Sequence, residues 1–182
     1  MTKQTQFLDV IDRDTAQELF HQAIELQPLE CEYVPLAEAL GRVLATDILS
    51  QQNVPSFDRS NYDGFAVRAE DTHGASETNP IHLQQLSESI ATAVVPQLEV
   101  TEATTIPIAT GGMLPRGADA VLMVEHSVVK SGQVHVYRSI HSGFGVACAG
   151  TDITAGEMVL RQGRMLTSRE TGVLAAIGEA TI

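Results

Sequence analysis

Apolar residues recur at helical spacing near the start of the chain, where the pattern predicts an amphipathic helix. Asp14 is the predicted N-cap of this helix, Gln17 takes the capping-box position, and Pro28 ends it. We expect the apolar face to pack against a core. This face is formed by residues three or four positions apart: Ala16, Leu19, Phe20, Ala23 and Ile24.

Two further helices are predicted. A short one covers Leu36 to Leu40 and stops at Gly41, and a longer one begins at Thr167. Thr167 and Glu170 have capping-box spacing, and Gly178 stands where a glycine commonly follows a helix. A new apolar strand then begins over residues 180–182, so we expect the natural chain to continue.

The stretch from Val43 to about Ser142 has no helical periodicity and consists of short apolar runs between turn-forming residues. Ser131 and Gly132 predict a hairpin turn between the last two of these runs. After Gly150 the pattern predicts further short strands, including residues 158–160. The predicted strands of the central block are residues 65–67, 81–83, 105–108, 120–124 and 134–137.

Helical segments therefore bracket a β-rich block, and the predicted fold class is α+β. In the simplest topology the two chain ends, residues 1–54 and 147–182, form one small α/β domain. Residues 55–146 then form an inserted all-β domain.

Composition and charge narrow the range of functions. The chain has 182 residues, of which 43% are hydrophobic, and its net charge is −12. This acidity argues against nucleic acid as a partner. The chain lacks a signal peptide and the roughly 20 consecutive apolar residues that cross a membrane, so we expect a cytoplasmic protein. Cys31 and Cys148 are expected to be reduced thiols rather than a disulfide.

The first candidate for chemistry is residues 55–68, which hold Asp58, Arg59, Asp63 and Arg68 among turn-forming residues. Asp63-Gly64 is compatible with an ordinary hairpin turn. Alternatively, Asp63 is a carboxylate facing a cleft, where it binds Mg²⁺ or orients a phosphate through the metal. The two arginines are also compatible with surface salt bridges to Asp58 or Asp63.

The second candidate is the segment Thr110-Gly111-Gly112, which follows a predicted strand. Glycines allow backbone N–H groups to approach an anion, although a plain structural loop has the same pattern. Asp152, in Gly150-Thr151-Asp152-Ile153, is a third candidate or a simple turn residue. The six histidines are scattered without metal-ligand spacing, and no nucleophile has a neighbouring base, so a self-contained hydrolase is not supported.

Together these segments resemble the molybdopterin molybdenumtransferase family, the MoeA and gephyrin E-domain group. The resemblance covers nearly the whole chain in three segments that occur in the family's order. They are residues 55–68, residues 110–121 with Thr110-Gly111-Gly112, and residues 150–178 with Gly150-Thr151-Asp152-Ile153.

The resemblance implies a cytoplasmic enzyme of molybdenum cofactor synthesis. Such an enzyme inserts molybdate into adenylylated molybdopterin and releases AMP, with Mg²⁺ as the cation. Members are homodimers whose site lies between the β domain of one subunit and a C-terminal domain of the other. By position, Asp63, Thr110 and Asp152 are implied as catalytic, with Asp63 holding the cation. The resemblance also implies cofactor-binding residues: Gly111 and Gly112, with backbone N–H donors beside Thr110, and the nearby Asp58 and Arg59.

Two departures from the family pattern matter. The chain stops where the large C-terminal domain of the family begins, so the polypeptide resembles the N-terminal portion alone and is expected to be inactive by itself. The stretch 144–150 lacks the family's cation, and Thr151 replaces its usual glutamate. The alternative is therefore a divergent, non-catalytic relative that acts as a binding, scaffold or dimerisation module.

Overall fold

The computed structural model describes residues 11–24, 27 and 29–182. Contacts divide the chain into two units, Met1–Tyr33 and Val34–Ile182. The described part of the first unit contains helix α1, Arg13–Ala23. Its N-cap is Asp12, so the assignment of the cap to Asp14 was wrong: the Asp12 carboxylate accepts the N–H groups of Asp14 and Thr15, both at 3.0 Å.

The apolar face of α1 is exposed. None of its residues is buried, and Leu19 and Phe20 are 52% and 61% exposed. Within the described residues of the first unit this face covers no core, so its expected packing stays a prediction. Pro28, the predicted end of the helix, lies outside them.

A six-stranded sheet forms the centre of the second unit. Its six strands are β3 Gly64–Val67, β4 Ile81–Gln85, β5 Thr104–Ile108, β6 Ala120–Met123, β7 Ser127–Lys130 and β8 Gln133–Val136. They lie in the order β6-β3-β5-β4-β8-β7, and all neighbouring pairs are antiparallel except β4 and β5.

The predicted turn at Ser131-Gly132 is present, and both residues have positive φ angles of 52° and 79°. The turn joins β7 to β8, however, and not β6 to β8 as the sequence suggested. Strand β7 was missed because its two valines, Val128 and Val129, are adjacent and both exposed, so they give no alternation. Val124, predicted to end β6, instead begins a short 3₁₀ helix, Val124–His126.

Short elements from both ends of the second unit pack together. Strand β1, Ile48–Leu49, pairs with β10, Met158–Leu160, and the predicted helix at 36–40 is a single 3₁₀ turn, Leu36–Glu38. Helix α2, Ser168–Ala176, begins at the predicted capping box of Thr167 and Glu170. Their shared core contains Val34, Ala39, Leu44, Leu166, Leu174 and Ile177.

Two further cores flank the central sheet and draw their buried residues only from 65–140. The second small sheet, β2 Arg59–Ser60 with β9 Val146–Ala147, lies in sequence at the two ends of this block. The proposed boundaries 1–54, 55–146 and 147–182 stay a prediction. The mixed composition of helices and strands agrees with the predicted α+β class.

Candidate functional site

Asp63 and Thr110 meet because β3 and β5 are antiparallel neighbours. Asp63 directly precedes β3 and Thr110 follows β5, so both lie at the same end of the pair, where Gly64 opposes Ile108. Thr110 donates two hydrogen bonds to Asp63 Oδ1, from its backbone N–H at 2.8 Å and from its hydroxyl at 2.9 Å. Residues 47 positions apart thus form one polar unit.

These two hydrogen bonds hold Asp63 in its charged form. The N–H of Thr110 is the larger cause and its hydroxyl the next, and together they lower the pKa of the Asp63 carboxyl below its ordinary value. Both residues are exposed. Within the described part of the chain, Asp63 Oδ2 makes no hydrogen bond, so an ionised oxygen faces solvent.

Asp63-Gly64 is not a hairpin turn. Gly64 begins β3, which pairs on both sides, with β5 and with β6. A Cβ atom at Gly64 would lie 2.0 Å from the carbonyl oxygen of Leu122, so only glycine permits this close approach of β6. Asp63 is consequently held at the end of a buried strand.

The glycines after Thr110 shape a turn and do not present free donors. The N–H of Gly111 donates to Ser60 O at 2.8 Å, and that of Gly112 donates to Ala109 O at 2.9 Å. Gly111 has a φ of +78°, and a Cβ at Gly112 would lie 2.9 Å from Ala109 O. The expected role of these N–H groups as donors to an anion is therefore not available in this arrangement.

Asp58 and Arg59 lie at β2, and Asp152 follows the partner strand β9 in sequence. Asp58 Oδ1 accepts the N–H of Ala149 at 2.7 Å, which fixes the segment before Asp152. Arg59 Nη2 lies 3.6 Å from Asp152 Oδ2, and both side chains are well exposed. The guanidinium of Arg59 thus stands beside Asp152 although residues 144–150 contain no cation.

The alternative in which the two arginines pair with Asp58 or Asp63 is not observed among the described residues. Arg59 pairs with Asp152, and Arg68 pairs with Glu70 and lies 3.9 Å from Asp71, so neither contacts Asp58 or Asp63. The i,i+3 spacing of Arg68 and Asp71 makes the local partner more accessible than Asp63, which lies at the opposite end of β3.

Backbone hydrogen bonds at Ser60 join the three segments that hold the candidates. Its O and N pair with Gly111 N and Gly112 O, and the next residue, Asn61, donates to Gly145 O at 2.8 Å. The structure thereby brings all seven predicted residues onto neighbouring segments. Four of them form two separate polar pairs, Asp63 with Thr110 and Arg59 with Asp152.

Sequence reasoning missed two residues that order this region. Ser60 is 1% exposed, and its hydroxyl donates to Tyr62 O at 2.5 Å, which shapes the loop before Asp63. Serine within a turn-rich segment is a known signal for such a loop. Thr92 donates its hydroxyl to Thr110 O at 3.2 Å, and no local pattern predicts this contact between residues 18 apart.

The candidate residues are compatible with Mg²⁺ only in combination with other ligands. In the described part of the chain, no three His, Cys, Asp or Glu side chains come together as a metal site. Mg²⁺ commonly takes one or two carboxylates and completes its shell with water and substrate phosphates. The open oxygen of Asp63 fits one such position.

Comparison with known proteins identifies the family. Residues 11–178 match the family described as the MoeA N-terminal region, domains I and II. The chain belongs to this family. It is 37% identical over 157 residues to the molybdopterin molybdenumtransferase of Bacillus subtilis. These residues are 84% of this chain and 36% of the relative. The chain is 36% identical over 149 residues to molybdopterin molybdenumtransferase 2 of Mycobacterium tuberculosis, covering 82% and 36% respectively.

Solved structures agree with this assignment of the MoeA N-terminal fold. A crystal structure of the molybdopterin biosynthesis MoeA protein from Pyrococcus horikoshii matches with a TM-score of 0.83 at 36% identity, over 95% of this chain and 44% of the other. The chain therefore spans less than half the length of the relatives it matches.

Among the described residues, no helix is long and apolar enough to cross a membrane.

Proposed function

We propose that this chain supplies the N-terminal portion of a molybdopterin molybdenumtransferase, an enzyme of molybdenum cofactor synthesis. The reaction inserts molybdate into adenylylated molybdopterin and releases AMP. The observation that carries the proposal is the family match over residues 11–178, together with the meeting of Asp63 and Thr110 at one strand end. By itself the chain is inactive, because it spans 36% of the relative that carries this name.

Asp63 is the residue we assign to the cation. Its carboxylate is fixed through Oδ1 and open at Oδ2, which suits a single ligand to Mg²⁺. The cation, when bound, offsets the negative charge of the substrate phosphates. Thr110 orients the carboxylate through its hydroxyl, and Asp58 positions residues 148–150 through Ala149.

Arg59 and Asp152 form the second half of the proposed site. Arg59 takes the place of the cation that residues 144–150 lack, since its guanidinium lies beside Asp152. Guanidinium groups bind phosphate through paired N–H donors. The site is completed, in this proposal, by a C-terminal region from the second subunit of a homodimer.

A chimeric enzyme tests the proposal. This chain replaces the matching N-terminal part of the Bacillus subtilis relative, and AMP release is measured with adenylylated molybdopterin, molybdate and Mg²⁺. We expect AMP release from the chimera and none from the 182-residue chain alone. Release by the isolated chain at the rate of the Bacillus subtilis enzyme would place the catalytic centre elsewhere.

The same experiment distinguishes the proposed enzyme from the alternative function. A chimera that folds and forms dimers but releases no AMP would favour a non-catalytic relative that serves as a binding, scaffold or dimerisation module. Circular dichroism and the melting temperature establish folding, and size-exclusion chromatography establishes the dimer.

A further inference from the structure

Three arginines line one surface depression that shares no residue with the Asp63 site. The depression has a volume of about 520 Å³ and lies between the turn after β10 and the start of α2. Val159 and Leu160 form part of its wall. The arginines are Arg161, Arg164 and Arg169. They are three of the 11 basic residues in a chain with 23 acidic ones, so their grouping runs against the overall charge.

The turn that carries Arg161 and Arg164 is firmly held. Arg164 N donates to Arg161 O at 3.2 Å, and Gly163, with a φ of +80°, donates to Leu44 O at 2.8 Å. Gln162 N donates to Asp47 Oδ1 at 2.7 Å. The positions from which the two arginines extend are consequently fixed before any ligand binds.

Internal acids neutralise only part of this charge. The Glu170 side chain is 4% exposed, and its Oε1 accepts Arg164 Nη2 at 2.8 Å while its Oε2 accepts the N–H of Thr167. Asp47 is the other carboxylate bound to the turn. In the described residues, Arg161 and Arg169 have no acidic partner, and both are exposed.

Arg169 lies at a helix position that favours negative charge, and Glu170 in the same turn already pairs with Arg164. This position is in the first turn of α2, where the helix dipole is positive and acidic residues are preferred. Arg161 and Arg164 add like charges beside it. A bound anion would relieve this repulsion and would receive N–H donors from planar guanidinium forks, which match phosphate oxygens in pairs.

We propose that this depression, defined by Arg161, Arg164 and Arg169, binds the phosphate or diphosphate group of a small ligand. Arg164 is oriented by Glu170 and contributes its remaining N–H groups, while Arg161 and Arg169 supply the uncompensated charge. The inference does not depend on the proposed enzymatic function, because none of its residues belongs to that site.

Titration calorimetry of the full 182-residue chain with inorganic pyrophosphate tests the proposal. We expect saturable binding that weakens about tenfold in Arg161→Gln and in Arg169→Gln, and further in the double variant. Arg169→Lys keeps the charge but loses the fork, so we expect a smaller loss of roughly threefold. Arg116→Gln, a change at an exposed arginine elsewhere, is the matched control and should leave the affinity unchanged.

Three results would overturn the proposal. They are the absence of saturable binding, affinity that survives the double variant, and equal affinity for citrate, which would indicate a general anionic patch. Amide chemical shifts provide an independent readout: pyrophosphate should move the signals of Gly163 and Arg169 and leave that of Thr110 in place. Melting temperatures of the variants exclude unfolding as the cause of lost binding.

Discussion

At the residue scale, the Asp63–Thr110 pair shows how little of a site local sequence contains. The local pattern made both residues candidates, but at Asp63 it was also compatible with a hairpin turn, and the resemblance alone assigned the two residues to one site. Their contact depends on the register of β3 against β5, which no residue near either position encodes. The contact of Arg59 with Asp152 was likewise not predictable from a local pattern, because the two residues are 93 positions apart.

Thr110→Val tests the hydrogen bonds to Asp63. The variant removes the hydroxyl donor and keeps the shape and the N–H, so the Asp63 pKa should rise part of the way towards its ordinary value of 3.8. Carbon-detected NMR titration of the Asp63 carboxyl measures this pKa directly. Thr151→Val, an exposed change beside Asp152, is the control and should leave the Asp63 midpoint unaltered.

The same pair predicts a pH dependence of stability. Because the folded pKa of Asp63 is lowered, its contribution is present above the unfolded value of 3.8 and is lost as the pH falls through the folded value. Denaturation curves below pH 4 should therefore differ less between parent and Thr110→Val than curves at pH 7. An equal difference in stability between parent and Thr110→Val at both pH values would contradict the assignment of this pH dependence to Asp63.

At the element scale, the capping box of α2 was predictable because its signal is local. Thr167 and Glu170 are three positions apart and lie at the start of a periodic apolar run. The ion pair of Glu170 with Arg164 was not predicted, since the chain turns back before the helix. Similarly, β7 was missed while the other five strands of the central sheet were found. In the described part of this sheet, β7 is the strand that has no buried apolar residue.

Glu170 predicts a second acid-sensitive step. Hydrogen bonds from Thr167 and then Arg164 lower its pKa from 4.5 to about 2. Its stabilising effect is present above pH 4.5 and disappears as the pH falls towards 2. Between these two pH values, the melting temperature of the parent should fall steeply with decreasing pH, and that of Glu170→Gln should fall less. Parallel profiles would exclude Glu170 as the titrating group.

Gly64→Ala tests the close approach of β3 and β6. The added Cβ would lie 2.0 Å from Leu122 O. The backbone of β6 cannot move away without breaking its hydrogen bonds to β3. We expect a destabilisation of more than about 2 kcal/mol in urea denaturation. Gly41→Ala, where φ is +80° and the space is open, is the matched control and should cost only about 1 kcal/mol. Equal costs would show that backbone conformation, not contact, decides.

At the scale of the whole molecule, the two ends of the second unit share one core. This core is separate from the two cores of the central sheet. The change in periodicity at both ends of the sequence predicts two domains with boundaries after residues 54 and 146, and this division stays a prediction. The sequence could not predict the sheet order β6-β3-β5-β4-β8-β7, because long-range pairing depends on packing between distant segments.

The predicted domain boundaries imply that residues 55–146 fold as an independent fragment. Residues 55–146 contain all six strands of the central sheet and both of its cores. Expressed alone, this fragment should unfold cooperatively in urea, as an autonomous domain does. A fragment without a cooperative transition would mean that the boundaries 55 and 146 divide a single folding unit.

The rate of AMP release by the chimeric enzyme tests the central claim most directly, when Asp63→Asn is compared with Glu77→Gln. Asp63→Asn keeps the size of the side chain and removes its charge, so we expect the rate to fall by ~100-fold or more. Glu77 is exposed and outside the site, so its variant should release AMP at the parental rate. An Asp63→Asn chimera that releases AMP as fast as its parent would contradict the assignment of Asp63 to the reaction.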